Sequence, residues 1–283
     1  MQKKMQTDEE ACQVSSNGYK CSKCKDSEFV FRKEPQIRYD SEGQEKVYYV
    51  EVGEPCDCRN QRRLERRLQN ALIPEEFANA RFDSYIQETT AQQLLYKTMA
   101  DYLRAFPEIE RKRHNSLGFM AEFGELRIRQ LPPKERAEAK LKYNNFGLGK
   151  THLQVAAAKY LMKQGEGKRV LMIADASFMD DLIAAKMAKD DGEELNRLLG
   201  YAISVDVLIW DDMGKSKHSE AKENLYYQII DGRYRKKKPI LFSSNEDDET
   251  LAEKIGYAAW SRLQGMAKDY LVAVSGDDYR TKG

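Results

Sequence analysis

Eight consecutive residues constrain this chain more than any others: Asn144-Asn145-Phe146-Gly147-Leu148-Gly149-Lys150-Thr151. They follow the phosphate-loop pattern G-x-x-x-x-G-K-[ST] at every fixed position but the first, where Asn144 stands in place of glycine. Gly147 and Gly149 let backbone N–H groups turn inward onto phosphate oxygens. Lys150 is placed to reach β- and γ-phosphates, and the Thr151 hydroxyl to ligate Mg²⁺. His152 continues into a helix whose positive N-terminus faces the anion. Asn is the residue after glycine that best tolerates a left-handed backbone, so the turn is expected to survive Asn144. Taken alone, the same residues also read as an ordinary glycine-bearing loop ahead of a helix, with Lys150 solvated.

From Ser116 onward, short apolar runs alternate with longer helical stretches. Strands are expected at 116–121, 169–174, 205–210, 239–243 and 270–274, with helices between them, for example at 151–164 and 177–189. Buried runs separated by helices point to a parallel sheet with crossover helices. The run Val207-Leu208-Ile209-Trp210 ends in Asp211-Asp212, two acids at the carboxyl end of a buried strand, where open α/β sheets bind ligands. There Asp211 is suited to hold Mg²⁺ and Asp212 to orient or deprotonate an attacking water. A strand ending in a turn is the plainer reading of the same acids. The next strand ends in Ser243-Ser244-Asn245. Asn245 either bonds the γ-phosphate or its water, or caps a helix at DDETLAEKI. Arg262, in the largely apolar YAAWSRL, either pairs locally or reaches an ATP on a neighbouring subunit.

A phosphate loop normally follows its strand at once. Here 22 residues of charged sequence, 122–143, intervene, and Pro132-Pro133 followed by KERAEAKLKY reads as a short helix opened by proline. The insert carries Arg127, Arg129, Lys134, Arg136, Lys140 and Lys142, which read first as a solvated helix face and second as a contact with a neighbour or DNA. The run Arg233-Tyr234-Arg235-Lys236-Lys237-Lys238 reads likewise as a solvated helix end, with phosphate contact as the alternative. Phe178 suits either base stacking or the core.

All five cysteines lie within the first 58 of the 283 residues. Cys21-x-x-Cys24 and Cys56-x-Cys58 form two tight pairs about thirty residues apart, with strands expected at 28–32 and 47–52 between them. Four thiolates and no nearby histidine suit a closed, structural Zn²⁺ site, with Cys12 left over. After Cys58, RNQRRLERRLQNA reads as a basic helix ending near Pro74, and a second helix is expected from Thr90 to Ala105, closed by Pro107. The organisation expected is a zinc module at 1–65, a helical linker at 66–111 and an ATPase domain at 112–283. With 47 basic and 46 acidic side chains the net charge is +1, so a nucleic-acid contact must use a local patch. No apolar run is long enough to span a bilayer, and the first residues lack a signal-peptide core, so a cytoplasmic protein without membrane contact is expected.

In order along the chain, FGLGKTHL, VLIWDD, SSN, SRL and a terminal DYR resemble the bacterial and phage helicase loaders of the DnaC/DnaI type, and the related IstB-like ATP-binding proteins share much of this set. The resemblance covers about residues 112–283, and the cysteine module followed by IPEEFANARFDSY is similar to the front half of such loaders. It implies an AAA+ domain of three layers, with a zinc-ribbon-like module ahead of it. It implies that Asn145, Phe146, Gly147, Leu148, Gly149, Lys150, Thr151 and His152 hold ATP. Asp211 and Asp212 match the Walker B acids, Asn245 sensor 1, Arg262 the arginine finger and Arg280 sensor 2. It further implies slow, assembly-dependent ATP hydrolysis, a homo-oligomer in the ATP state, a DnaB-type replicative helicase as partner, and single-stranded DNA. An IstB-like transposition helper and a nucleotide-binding adaptor without turnover are the alternatives. The chain departs from the pattern at Asn144, in the insert, and at Asp212, where many hydrolytic relatives carry Glu.

Overall fold

Each apolar run expected as a strand after Ser116 becomes one. The computed structural model describes residues 19–39, 43–59, 62, 71–164, 167–276 and 278, in two units, 1–66 and 67–283. The larger unit holds β3 (Leu117–Ala121), β4 (Val170–Ala174), β5 (Val207–Asp211), β6 (Ile240–Ser243) and β7 (Leu271–Val274). They form one sheet in the order β4-β5-β6-β3-β7, with every pairing parallel. Nine helices are described: α1 (Thr90–Ile109), α2 (Glu125–Gln130), α3 (Pro133–Lys142), α4 (Lys150–Lys163), α5 (Asp175–Met187), α6 (Glu193–Ser204), α7 (Glu220–Arg235), α8 (Asp248–Ile255) and α9 (Tyr257–Ala267).

Both faces of the sheet are covered, as a parallel sheet requires. Leu171 and Ile173, Leu208 and Trp210, and Ile240 and Phe242 join one core cluster with residues of α5 to α9. The alternate residues Val170, Met172, Val207, Ile209 and Leu241 are equally buried, and α1 and α4 pack on the sheet. One polar group sits within the cluster. Asp175 accepts from Trp210 Nε1 (2.9 Å), the Tyr226 hydroxyl (2.6 Å) and the Ser216 amide (2.8 Å).

The segment expected as a linker belongs to this larger unit. Thr89 and Gln92 make a reciprocal capping box at the start of α1. Leu95, Met99, Tyr102, Leu103 and Phe106 are buried, and Tyr102 lies edge-on to Tyr270 beside β7. The helix runs through Pro107 to Ile109, beyond the stop expected there. Proline removes one hydrogen bond in the last turn, and the packing of the turn before it carries the helix on.

The smaller unit is a two-stranded antiparallel ribbon, β1 (Phe29–Tyr39) and β2 (Glu45–Pro55). Both strands run well past their expected ends. Pro35, paired opposite Tyr49, is tolerated because both strands of a two-stranded ribbon are edges. The ribbon exposes Phe31, Ile37, Tyr39, Val47 and Tyr49. The basic stretch after Arg59 lies outside the described residues except for Arg62, which pairs with Asp26. Cys12 and Arg280 also lie outside them. Among the described residues no helix is long and apolar enough to cross a membrane.

Candidate functional site

The strand order brings the loop after β3 and the acids after β5 together across the end of β6. Lys150 is 8% exposed, and its ammonium donates to the Ser244 carbonyl (3.1 Å) and Asn245 Oδ1 (2.8 Å). The Thr151 hydroxyl donates to both Asp211 oxygens, at 3.1 and 3.0 Å. Asn245 Nδ2 donates to Asp212 Oδ1. Five of the residues picked from sequence therefore meet at one point.

Electrostatics mark the same point. Burial pushes the Lys150 ammonium down to about 8, against the pull of Asp212 and Asp211. Burial raises the Asp211 carboxyl, and the Asp212 charge adds to this, while Ser243, Thr151 and Lys150 oppose it. Asp212 has a φ of 57°, a left-handed backbone in a non-glycine residue, and Lys215 Nζ lies 3.8 Å from its carboxylate. Lys215 is also 3.9 Å from Glu125 on the insert and stands over the Phe146 ring.

The loop's backbone is shaped by two glycines with φ of 65° and 80°, Gly147 and Gly149. A Cβ at Gly149 would lie 2.5 Å from the Tyr85 ring, and one at Gly147 would lie 1.7 Å from Asp278 Oδ1, so a side chain at either position would have to displace a neighbour on a backbone conformation it rarely adopts. Asn144 is not among the described left-handed residues, contrary to the role expected for it. It works through its amide instead. Its Oδ1 accepts from the Phe146 amide (3.3 Å), and its Nδ2 donates to the carbonyls of Phe146 (3.0 Å) and Gly276 (2.7 Å), tying the loop to the segment after β7.

Several contributors were not picked from sequence. Ser243 donates to Asp211 Oδ1 (2.6 Å), and Gln154, one turn into α4, donates to the same oxygen (2.8 Å) with its amide suitably oriented. Ser243 was legible beside Asn245 in the SSN run, and Gln154 as the residue three after Thr151 on a helix. Tyr85 donates to the Leu148 carbonyl (2.8 Å) and packs against His152, whose Nε2 lies 2.8 Å from the Arg81 carbonyl. Nothing local in the sequence signals that pairing.

Other sequence candidates lie elsewhere. Arg262 takes the local pairing: it binds Asp231 (2.8 Å), the Tyr227 hydroxyl (3.1 Å) and the Ala258 carbonyl (2.9 Å). Asn245 caps no helix, because Asp247 is the N-cap of α8. Within 233–238, Arg233 is fully buried and donates to the carbonyls of Ala202, Val205, Asp206 and Pro239. It is a structural strut and not an exposed phosphate contact. Phe178 is core, edge-on to Trp210.

In the ribbon unit Cys21, Cys24, Cys56 and Cys58 converge. Their sulfurs all lie within 4.8 Å of one another, with 3.8 Å between Cys21 and Cys56 and 3.4 Å between Cys24 and Cys58. Thiolates about 2.3 Å from a tetrahedral Zn²⁺ stand about 3.8 Å apart, so the donor set fits that ion. A backbone hydrogen bond from Cys24 holds the Cys21 thiol down to about 6, while burial pushes the Cys58 thiol up.

The family model of the bacterial DnaA ATPase domain matches residues 114–265, more than half of the 283. The phage-like element PBSX protein XkdC of Bacillus subtilis is 26% identical over 237 residues, covering 81% of this chain and 77% of that protein. The replicative helicase loader DnaC of Buchnera aphidicola is 24% identical over 218 residues, covering 77% of this chain and 76% of the relative. A crystal structure of the DnaC helicase loader shares the fold with a TM-score of 0.53 at 22% identity, covering 71% of this chain and 100% of that one. On the strength of the family match the chain belongs to the bacterial DnaA ATPase-domain family, and it is similar to AAA+ proteins of the DnaC type.

Proposed function

We infer that this protein binds ATP with Mg²⁺ at the loop 145–152 and uses it as a switch in delivering a DnaB-type replicative helicase to single-stranded DNA. The observation that carries the reading is the meeting of Lys150, Thr151, Asp211, Asp212 and Asn245 at the ends of three neighbouring strands. Lys150 is positioned to hold the terminal phosphates. Thr151 and Asp211 offer the oxygen donors that Mg²⁺ prefers, and the ion would supply charge neutralisation of the phosphates. Asn245 and Asp212 are positioned to hold a water for attack on the γ-phosphate. The side chain of Asp212 is shorter than a glutamate and is engaged by Asn245 and Lys215, which suits slow turnover.

Zn²⁺ fits the four cysteines, and the apolar side chains on the ribbon above them suit a docking role toward the helicase. Reduced thiols of this kind fit a cytoplasmic setting. In one chain Arg262 is held by Asp231, so acting as a finger requires it to exchange that carboxylate for a neighbour's phosphate. Arg280 of the DYR run is the proposed sensor 2.

The test is phosphate release with the helicase and single-stranded DNA present. Lys150→Ala abolishes ATP binding, and Arg262→Ala lowers turnover only where chains assemble. Undiminished ATP binding by Lys150→Ala sinks the reading. Co-purification with a transposase in place of a helicase replaces the loading role with that of a transposition helper.

A further inference from the structure

The insert between β3 and the phosphate loop walls a cavity of its own. Helices α2 and α3 and the first loop residues enclose about 350 Å³, within the range of roughly 300–1,000 Å³ common for small-ligand sites. Tyr143 and Phe146 contribute aromatic rings to its lining, Arg129 and Lys140 cations, and Glu125 and Asn145 acceptors. Glu125 is already engaged by Arg129 and, at 3.9 Å, by Lys215. Lys140 is exposed, with no ion pair among the described residues.

Asn145 is the decisive residue. It is 1% exposed, and its Nδ2 donates to the Asn245 carbonyl at 3.4 Å. Its Oδ1 is the only buried side-chain oxygen among the described residues with no hydrogen-bond partner. A buried acceptor left unpaired is costly, and a ligand N–H relieves it. Tyr143 is braced from outside by Phe123, ring centroids 5.0 Å apart, so the wall is set before anything binds. A flat ring with an N–H on its edge, joined to an anionic group, satisfies the rings, the amide oxygen and the two cations together.

We propose that this cavity binds one nucleotide unit, its base against Tyr143 and Phe146 with an exocyclic N–H on Asn145 Oδ1, and its phosphate toward Lys140 and Arg129. The unit comes either as a free nucleotide or as one residue of a single strand, and the chemistry is the same. The cavity borders the ATP loop and shares Asn145 and Phe146 with it, but Tyr143 and Lys140 are not among the partners of Lys150, Thr151 or the acids, so these two residues report on the cavity.

The experiment measures fluorescence anisotropy on the full chain in a Lys150→Ala background, with two probes: a short labelled single strand and labelled AMP. At least one probe binds. Tyr143→Ala and Lys140→Ala each weaken that binding by about tenfold, the scale of one lost base stack or phosphate contact. In the chain that keeps Lys150, both substitutions leave ATP binding unchanged. Weakening of the strand alone assigns the unit to single-stranded nucleic acid, and weakening of AMP assigns it to a mononucleotide. Binding of neither probe overturns the proposal. So does unchanged binding by both variants, or a loss confined to Lys140→Ala, which marks a surface phosphate contact without a base pocket. If Tyr143→Ala fails to fold, Tyr143→Leu, which keeps the bulk and removes the aromatic face, takes its place, while Lys140→Ala reports the phosphate contact at an exposed position. Loss of the ATP reading, seen as Lys150→Ala binding ATP normally, leaves these outcomes untouched.

Discussion

In β1 and β2 no side chain is buried, whereas in β3 and β6 every one is. Among the described residues the ribbon unit closes on four cysteines, for its buried core there is Cys21, Cys24 and Cys56 with Cys58 against them. The sheet unit closes on apolar side chains from both faces of five strands and can spare polar residues for the strand ends. One unit thus gathers its buried side chains around a candidate ligand set, and the other around an apolar core. Small units bury a small share of their surface and often rely on a metal or a bridge, and the ribbon's strands bury no side chain of their own.

The largest effect that would separate the two units is metal removal. A structural Zn²⁺ contributes about 10–16 kcal/mol of apparent folding free energy in comparable small modules. Stripping it with a strong chelator unfolds the ribbon and leaves the sheet unit's cooperative transition in place. Hydrogen exchange checks this: amides of 29–55 lose protection, and those of 117–121 and 207–211 keep it. Retained protection in 29–55 after complete metal loss breaks the comparison.

The converse perturbation acts on the sheet unit alone. Asp175→Ala leaves the Trp210 N–H, the Tyr226 hydroxyl and the Ser216 amide without their acceptor inside the core. At about 1–3 kcal/mol per buried unpaired donor, less what relaxation recovers, the expected loss is about 3–5 kcal/mol in urea unfolding. Asp175→Asn keeps an acceptor and loses less. Metal content is unchanged in both variants. A stability loss below about 1 kcal/mol for Asp175→Ala would show that the network is dispensable.

The contrast between the units also explains what could be read from sequence. The five sheet strands were legible to within two residues, β3 to β6 because a strand buried on both faces is an uninterrupted apolar run, and the edge strand β7 because LVAV is apolar although only Val274 in it is buried. α3 was legible from Pro133 at its first position. The ribbon strands were located but cut to about half their length, because KEPQIRY has no buried face to impose an alternation. At the site, Lys150, Thr151, Asp211, Asp212 and Asn245 were legible because fixed spacing near strand ends carries their chemistry. Tyr85 and Asp278, which close over Gly149 and Gly147, were not, since each comes from a segment remote in sequence. Asn144 was legible only as a departure from the motif that a left-handed backbone would tolerate, whereas its amide is what ties the loop to Gly276.

The smallest expected effect is a titration at the other end of the strands from Asp211, where Asp206 precedes β5. Burial works to raise the Asp206 carboxyl, but the Arg169 amide and guanidinium and Lys238 outweigh it and hold the carboxyl well below the usual carboxylate range. A carboxyl depressed in the folded state lends stability that is present above its unfolded value, near 3.9, and lost as pH falls through the lower folded value. The stability gap between the native chain and Asp206→Asn is therefore full at neutral pH. It narrows below about pH 4 and closes further into acid. Because Asp206 is partly exposed, the gap is modest and shrinks with added salt. Urea midpoints of the sheet-unit transition, measured for both chains from pH 7 downward, give the curve. A gap that widens on acidification would mean that the pairing with Lys238 and Arg169 is not what holds this carboxylate ionised.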